Sequence, residues 1–175
     1  MRRRNIFPDP TSTGILKAVA NAGTALDYAQ SDGKRWVRAT TTDIGNNQNY
    51  GQYSLTGSKI PPAGAYRVGL LVHAEGGDGM ARGYVRNNDG TYTPYGSVTI
   101  PEGRTVDVLY TCKVPEECLE MLIRICPAGV KGATMMMTNV TIESAETHDL
   151  ASGGGFQASS PQAPRHTDLE AGDRR

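Results

Sequence analysis

The chain has 175 residues, with Lys+Arg 18 against Asp+Glu 18, a formal net charge of +0 and 38% hydrophobic residues. That length suits one domain with a terminal extension and is enough to bury a core. The balanced charge excludes a global positive field that would draw nucleic acid, and no apolar run reaches the roughly 18 residues of a membrane span.

Met1-Arg-Arg-Arg4 gives a basic start, but two prolines follow in Asn5-Ile-Phe-Pro-Asp-Pro10 where a secretion leader would be apolar. No leader is expected, and Asn5 to Pro10 reads as an extended edge segment. Ile15 to Tyr28 is expected to be a weak strand followed by an irregular stretch, because Gly14 and Gly23 limit any helix. Trp36 to Thr42 is a strand on its β-branched content, with Trp36 expected in the core. Asp43 to Asn49 is a loop, Tyr50 to Leu55 a short strand, and Ser58 to Gly64 a turn.

From Gly64 to Glu143 strands dominate. Ala65 to Ala74 places Tyr66, Val68, Leu70 and Val72 on one face, with Arg67, Leu71 and His73 opposed. Met80 to Arg86 is the next strand, and Asn87 to Gly90 a hairpin turn. Thr91 to Ile100 continues as strand with an interruption at Pro94. Arg104 to Val114 alternates Val106, Val108, Tyr110, Cys112 and Val114 against mostly polar residues. Leu119, Met121, Ile123 and Ile125 line one face of a further strand, and Thr134 to Ser144 is the last. In that strand Met136 opposes Met135 and Met137, so both faces are apolar and cover is expected on each. Such strands must stack two sheets or close a barrel to hide their apolar faces.

Three cysteines, Cys112, Cys118 and Cys126, are an odd count without paired C-x-x-C spacing. They read as small apolar side chains in or near the core, with a Cys112–Cys118 bridge as the alternative. From Ala145 the composition turns polar and rich in Gly and Pro. The expected division is therefore a β-sandwich over residues 1–144 and a tail over 145–175, disordered alone or ordered by a partner.

His73, His148 and His166 are scattered, and no P-loop, H-E-x-x-H or G-x-S-x-G motif occurs, so no catalytic residue is expected. The tyrosines are the better site candidates. Tyr50, Tyr53, Tyr84, Tyr92 and Tyr95 cluster around loops and short strands, with Arg86, Asn46, Asn47, Gln48 and Asn49 near them in sequence. Such rings stack on the C–H faces of sugars, yet the same residues would suit ring packing or a protein interface.

Three segments together carry a resemblance: Asn5-Ile-Phe-Pro-Asp-Pro10, the run from Ile60 to Ala74, and the closing strand from Met135 to Glu143. Over about residues 5–144 the chain resembles jelly-roll domains of the carbohydrate-binding-module type, which recur in bacteriophage tail and fibre proteins. The resemblance implies an all-β, antiparallel jelly-roll β-sandwich with an extended C-terminal tail. It also implies a structural calcium between the opening segment and the last strand. Asn139 stands where that family often has Asp, leaving Asp9 as the nearby acid, so no metal and no cofactor are expected.

Two readings of function follow from the resemblance. In the first, the chain is a non-enzymatic virion structural protein, located in the virion and assembled in the host cytoplasm. Its partners would be other virion structural proteins, further copies of itself and a host cell-surface glycan, with no nucleic acid. In the second it is a free-standing carbohydrate-binding module. An esterase or glycosidase on the same scaffold is a third reading, for which no motif speaks.

Overall fold

A computed structural model describes residues 4–14, 16–44 and 48–151. These form ten strands in two five-stranded antiparallel sheets laid face to face. One sheet runs β1-β4-β9-β6-β7, from β1 (Val19–Ala20), β4 (Gly51–Thr56), β9 (Glu120–Cys126), β6 (Gly79–Arg86) and β7 (Tyr92–Ile100). The other runs β2-β3-β10-β5-β8, from β2 (Thr24–Ser31), β3 (Lys34–Thr41), β10 (Thr134–Ser144), β5 (Gly64–Glu75) and β8 (Thr105–Val114).

Strict alternation builds the core. Tyr66, Val68, Leu70 and Val72 of β5 and Val108, Tyr110 and Cys112 of β8 point inward, with Val68 opposite Tyr110 and Leu70 opposite Val108. From the facing sheet come Tyr53, Leu55, Ala81, Val85, Met121, Ile123 and Ile125. The methionine run fits this frame. β10 is the central strand of its sheet, Met135 and Met137 face the core, and Met136 is half-buried on the outer side. Trp36 is buried as expected but alternates with inward Val37, and so sits on the outer side of β3, its Nε1 donating to the Ser31 carbonyl at 3.2 Å.

Several expectations change. The stretch from Ile15 to Tyr28 contains most of β2, which pairs along its whole length with β3 from Thr24↔Thr41 to Ser31↔Lys34. Leu119 lies outside β9 and is exposed. Pro94 does not interrupt β7; a bulge absorbs it, since Gly83 pairs with Gly96 while Tyr84 pairs with Pro94. All three cysteines are free, Cys112 and Cys126 buried and Cys118 half-buried. Burial pushes the thiol of Cys112 up to about 12 and that of Cys126 up to about 11.

The tail begins with order. Ala145–Ala151 is a seven-residue helix, α1, in place of the expected irregular segment. Ser144 caps it, its Oγ accepting from the Thr147 N–H at 3.2 Å. Asp149 accepts from Arg67 of β5 at 2.7 Å, and that hydrogen bond holds its carboxyl down to about 2. The Ser152–Gly155 linker and the rest of the expected tail lie outside the described residues. Among the described residues no helix is long and apolar enough to cross a membrane.

The opening segment is sewn onto β10 where β3 leaves off. Asn5 Nδ2 donates to the Val140 carbonyl at 3.0 Å, the Ile142 N–H returns to Asn5 Oδ1 at 2.9 Å, and the Ile6 N–H bonds the Ile142 carbonyl at 2.9 Å. A bulge around Asn139, whose φ is 51, lets Val140 donate to the Pro10 carbonyl at 3.0 Å. Asp9 anchors the next turn. Its buried carboxylate accepts from Thr13 N–H at 2.7 Å, Thr13 Oγ1 at 2.6 Å, Gly14 N–H at 2.9 Å and Leu16 N–H at 3.4 Å.

A structural calcium does not fit this arrangement. Calcium needs six to eight oxygen ligands, whereas both Asp9 oxygens already face N–H and O–H protons. Among the described residues no group of three or more His, Cys, Asp or Glu is placed to hold a metal.

Burial raises the pKa of Asp9, but hydrogen bonds from the Thr13 hydroxyl and from the Gly14, Thr13 and Leu16 amides outweigh it, and the net shift is downward. The stabilisation is therefore fully present above the ordinary carboxylate range and is lost as pH falls through the depressed value. Asp9→Ala strands these donors and is expected to cost about 2–4 kcal/mol in urea unfolding at pH 7. The difference from the parent should shrink below about pH 4. Equal unfolding midpoints at pH 7 would show that Asp9 anchors nothing.

Candidate functional site

Alternation that sends Ala81, Gly83 and Val85 inward sends Arg82, Tyr84 and Arg86 to the outer face of β6. On β9 the inward Met121, Ile123 and Ile125 leave Glu120, Leu122 and Arg124 outside, and on β4 inward Tyr53 and Leu55 leave Gln52 and Ser54. Register then aligns these residues into rows across the sheet. One row reads Gln52, Arg124, Arg82, Ser97; the next Ser54, Leu122, Tyr84, Pro94; the third Thr56, Glu120, Arg86, Tyr92.

Arg124 is the centre of this face. Its guanidinium lies 3.9 Å from the Tyr50 ring centroid and 5.2 Å from that of Tyr84, and its Nε donates to Gln52 Oε1 at 2.9 Å. Two rings and an amide thus fix a long side chain that would otherwise be mobile. Arg82 Nη1 donates to Gln48 Oε1 at 2.6 Å. Arg86 lies 5.7 Å from the ring of exposed Tyr92, and its Nε is buried without a hydrogen-bond partner among the described residues. Glu120 is bonded to the Ser54 hydroxyl. Tyr84, Tyr92 and Arg124 line an open cleft of about 290 Å³.

Four of the sequence candidates, Tyr50, Tyr84, Arg86 and Tyr92, therefore meet on one face. The other two do not. Tyr53 is 0% exposed; its ring meets Phe7 edge-on at 5.2 Å and its hydroxyl donates to Ser12 Oγ at 3.3 Å. Burial pushes its phenol up to about 12. Tyr95 is the extra residue of the β7 bulge, turned inward against Tyr110 at 5.9 Å, with its hydroxyl donating to the Leu122 carbonyl at 2.8 Å. Asn49 is structural, its Nδ2 donating to the Gly23 carbonyl and, at 3.0 Å, to the Asp43 carbonyl. Asn46 and Asn47 lie outside the described residues.

Arg124, Gln52 and Arg82 escaped sequence reading, although a signal was present. In Ile123-Arg124-Ile125 a lone cation interrupts an apolar strand, and period two places it opposite the core face.

No protein-family model matches the chain, and no curated protein matches it. Solved structures do. The C-terminal family 22 carbohydrate-binding module of Clostridium thermocellum Xyn10B superposes with a TM-score of 0.61 at 13% identity, over 79% of this chain and 93% of that one. The CBM22-1 xylan-binding domain of Paenibacillus barcinonensis Xyn10C gives 0.57 at 16% identity, over 81% and 92%. A mutant carbohydrate-binding module of family 29 gives 0.54 at 11% identity, over 82% and 92%. At such identities the likeness concerns fold. The chain has the jelly-roll β-sandwich fold of carbohydrate-binding modules.

Proposed function

We propose that the chain is a non-catalytic carbohydrate-binding module, and that a polysaccharide lies across the outer face of the β4-β9-β6-β7 sheet. The observation that carries this reading is the convergence of Tyr84, Tyr92 and Arg124 around one open cleft, with Tyr50 stacked on Arg124 beside it. Tyrosine rings offer flat apolar surfaces to sugar C–H faces. Arg82 and Arg124 offer guanidinium groups to hydroxyls, with largely buried Gln52 orienting Arg124, and strands hold them all at fixed spacing. The solved neighbours support the same reading, because their names describe carbohydrate-binding and xylan-binding modules. Glu120 is the one carboxylate on the three rows, so the face holds no facing pair of acids for glycoside hydrolysis. Assembly into a virion draws no added support from this face or from these neighbours, and the sugar-binding reading takes its place as the principal one.

The test is affinity electrophoresis of the intact protein through a panel of polysaccharides that includes xylan. At least one polymer should retard it. Tyr84→Ala should weaken that retardation roughly tenfold, the loss of about 1.4 kcal/mol of ring contact, with an unchanged melting temperature. Free migration through the whole panel would reject the reading.

A further inference from the structure

We infer that the polysaccharide is acidic, and that Arg82 and Arg86 receive the carboxylates of uronic acid residues whose rings rest on Tyr84. This rests on the carbohydrate-binding reading above and goes beyond it in naming the ligand's charge.

The arginines are arranged in a way that a neutral sugar does not explain. Arg82 and Arg124 stand directly opposite each other on neighbouring strands, in the same row of the outer face. Like charges in that relation repel and weaken a sheet. Among the described residues neither has an acid partner: Arg124 bonds the neutral amide of Gln52, and Arg82 that of Gln48. Arg86 follows two rows along, its Nε buried and unpartnered. Its cross-strand neighbour Glu120 is engaged by Ser54 instead. The three rows thus carry three guanidiniums against one carboxylate, a local excess of positive charge on a chain whose overall charge is +0. On the opposite sheet Arg38 pairs with Asp27 and Arg67 with Asp149, while Arg35, like Arg124, is held by neutral groups, the Thr13 carbonyl and the Tyr28 ring.

An anion on this face would relieve the repulsion, and a turn of the Arg86 side chain would bring its buried N–H to that anion. The aromatic rings choose which anion. Tyr84 lies between Arg82 and Arg86 on β6, and residues two apart on a strand are about 7 Å apart. A uronic acid carries its carboxylate on the sugar ring itself, so a ring stacked on Tyr84 brings its charge to an arginine at either end. A phosphodiester polymer carries charge on a flexible linker and leaves the tyrosines without a matching surface.

The experiment titrates the intact protein with polygalacturonate, alginate and hyaluronan, each beside its carboxyl-reduced neutral form, and with poly(glycerol phosphate) and neutral xylan. The expected result is binding of at least one uronate polymer at least tenfold tighter than its reduced form, weakened by raised salt. Arg82→Gln together with Arg86→Gln should abolish that preference. The lysine counterparts, Arg82→Lys with Arg86→Lys, should keep part of it, and the melting temperature of each variant reports whether it has folded. Three results would overturn the inference. Equal binding of charged and reduced forms, or binding of neutral xylan alone, removes the charge preference and leaves the carbohydrate-binding reading standing. Poly(glycerol phosphate) bound as tightly as any uronate reduces the face to a general anion surface. Binding to none of these polymers overturns the inference of an acidic ligand and leaves the carbohydrate-binding reading to the wider polysaccharide panel above.

Discussion

Gly83→Ala is expected to destabilise the sandwich by about 3 kcal/mol or more, at the upper end of what overpacking a core costs. A Cβ on Gly83 would stand 2.0 Å from Tyr95 Cε2 and 2.2 Å from its Cζ. The ring cannot swing aside freely. Its hydroxyl is bonded to the Leu122 carbonyl at 2.8 Å, and the ring packs against Tyr110. Gly96 makes the matching allowance on the neighbouring strand, where a Cβ would stand 2.0 Å from Tyr110 Cδ1. Two glycines and one bulge together admit two large rings between the sheets. Thermal unfolding should show a fall of roughly 6–12 °C for a domain of this size. The double variant Gly83→Ala, Tyr95→Ala isolates the cause, because with the ring gone the alanine should add almost nothing to the loss from Tyr95→Ala alone. Additive losses would mean that Gly83 is required for some other reason.

Arg124→Ala is expected to weaken glycan binding by about 2 kcal/mol or more, roughly 30-fold, as removal of a central anchor does. Arg124 orders the face besides contacting it: Tyr50 and Tyr84 lean on its guanidinium and Gln52 is oriented by its Nε. Stability should hold or rise slightly, because the variant also removes the like-charged neighbour of Arg82. Calorimetric titration and a melting curve read the two effects separately. Unchanged affinity in a folded Arg124→Ala protein would move the site off this face.

The fold was legible because two-residue alternation is strong where one side of a strand is buried. The run from Val106 to Val114 and the run from Tyr66 to Val72 both point as their sequence demands. β2 was hidden because Thr24–Ser31 borders its sheet and has no buried residue, so its pattern is weak and its pairing with β3 defines it. The site was half legible. Composition drew attention to the tyrosines, but clustering in sequence ignores parity. Tyr53 shares the inward parity of Leu55, and a bulge, a non-local feature, reverses Tyr95. Conversely, Arg124 and Gln52 are far apart in sequence and become neighbours through the β4–β9 register. The calcium implied by resemblance failed on chemistry at one residue, since Asp9 spends its oxygens on the chain's own amides.

The proposed sugar-binding surface is the outer face of the β4-β9-β6-β7 sheet. Nuclear magnetic resonance of the intact protein, titrated with an oligosaccharide of a polymer that retards it, reads this directly, including the arginine Nε–Hε signals. The largest shifts are expected at Arg82, Tyr84 and Arg124. Shifts confined to exposed Leu109 and its neighbours on the opposite sheet, or to the cavity lined by Thr13, Lys34 and Arg35, would contradict that placement.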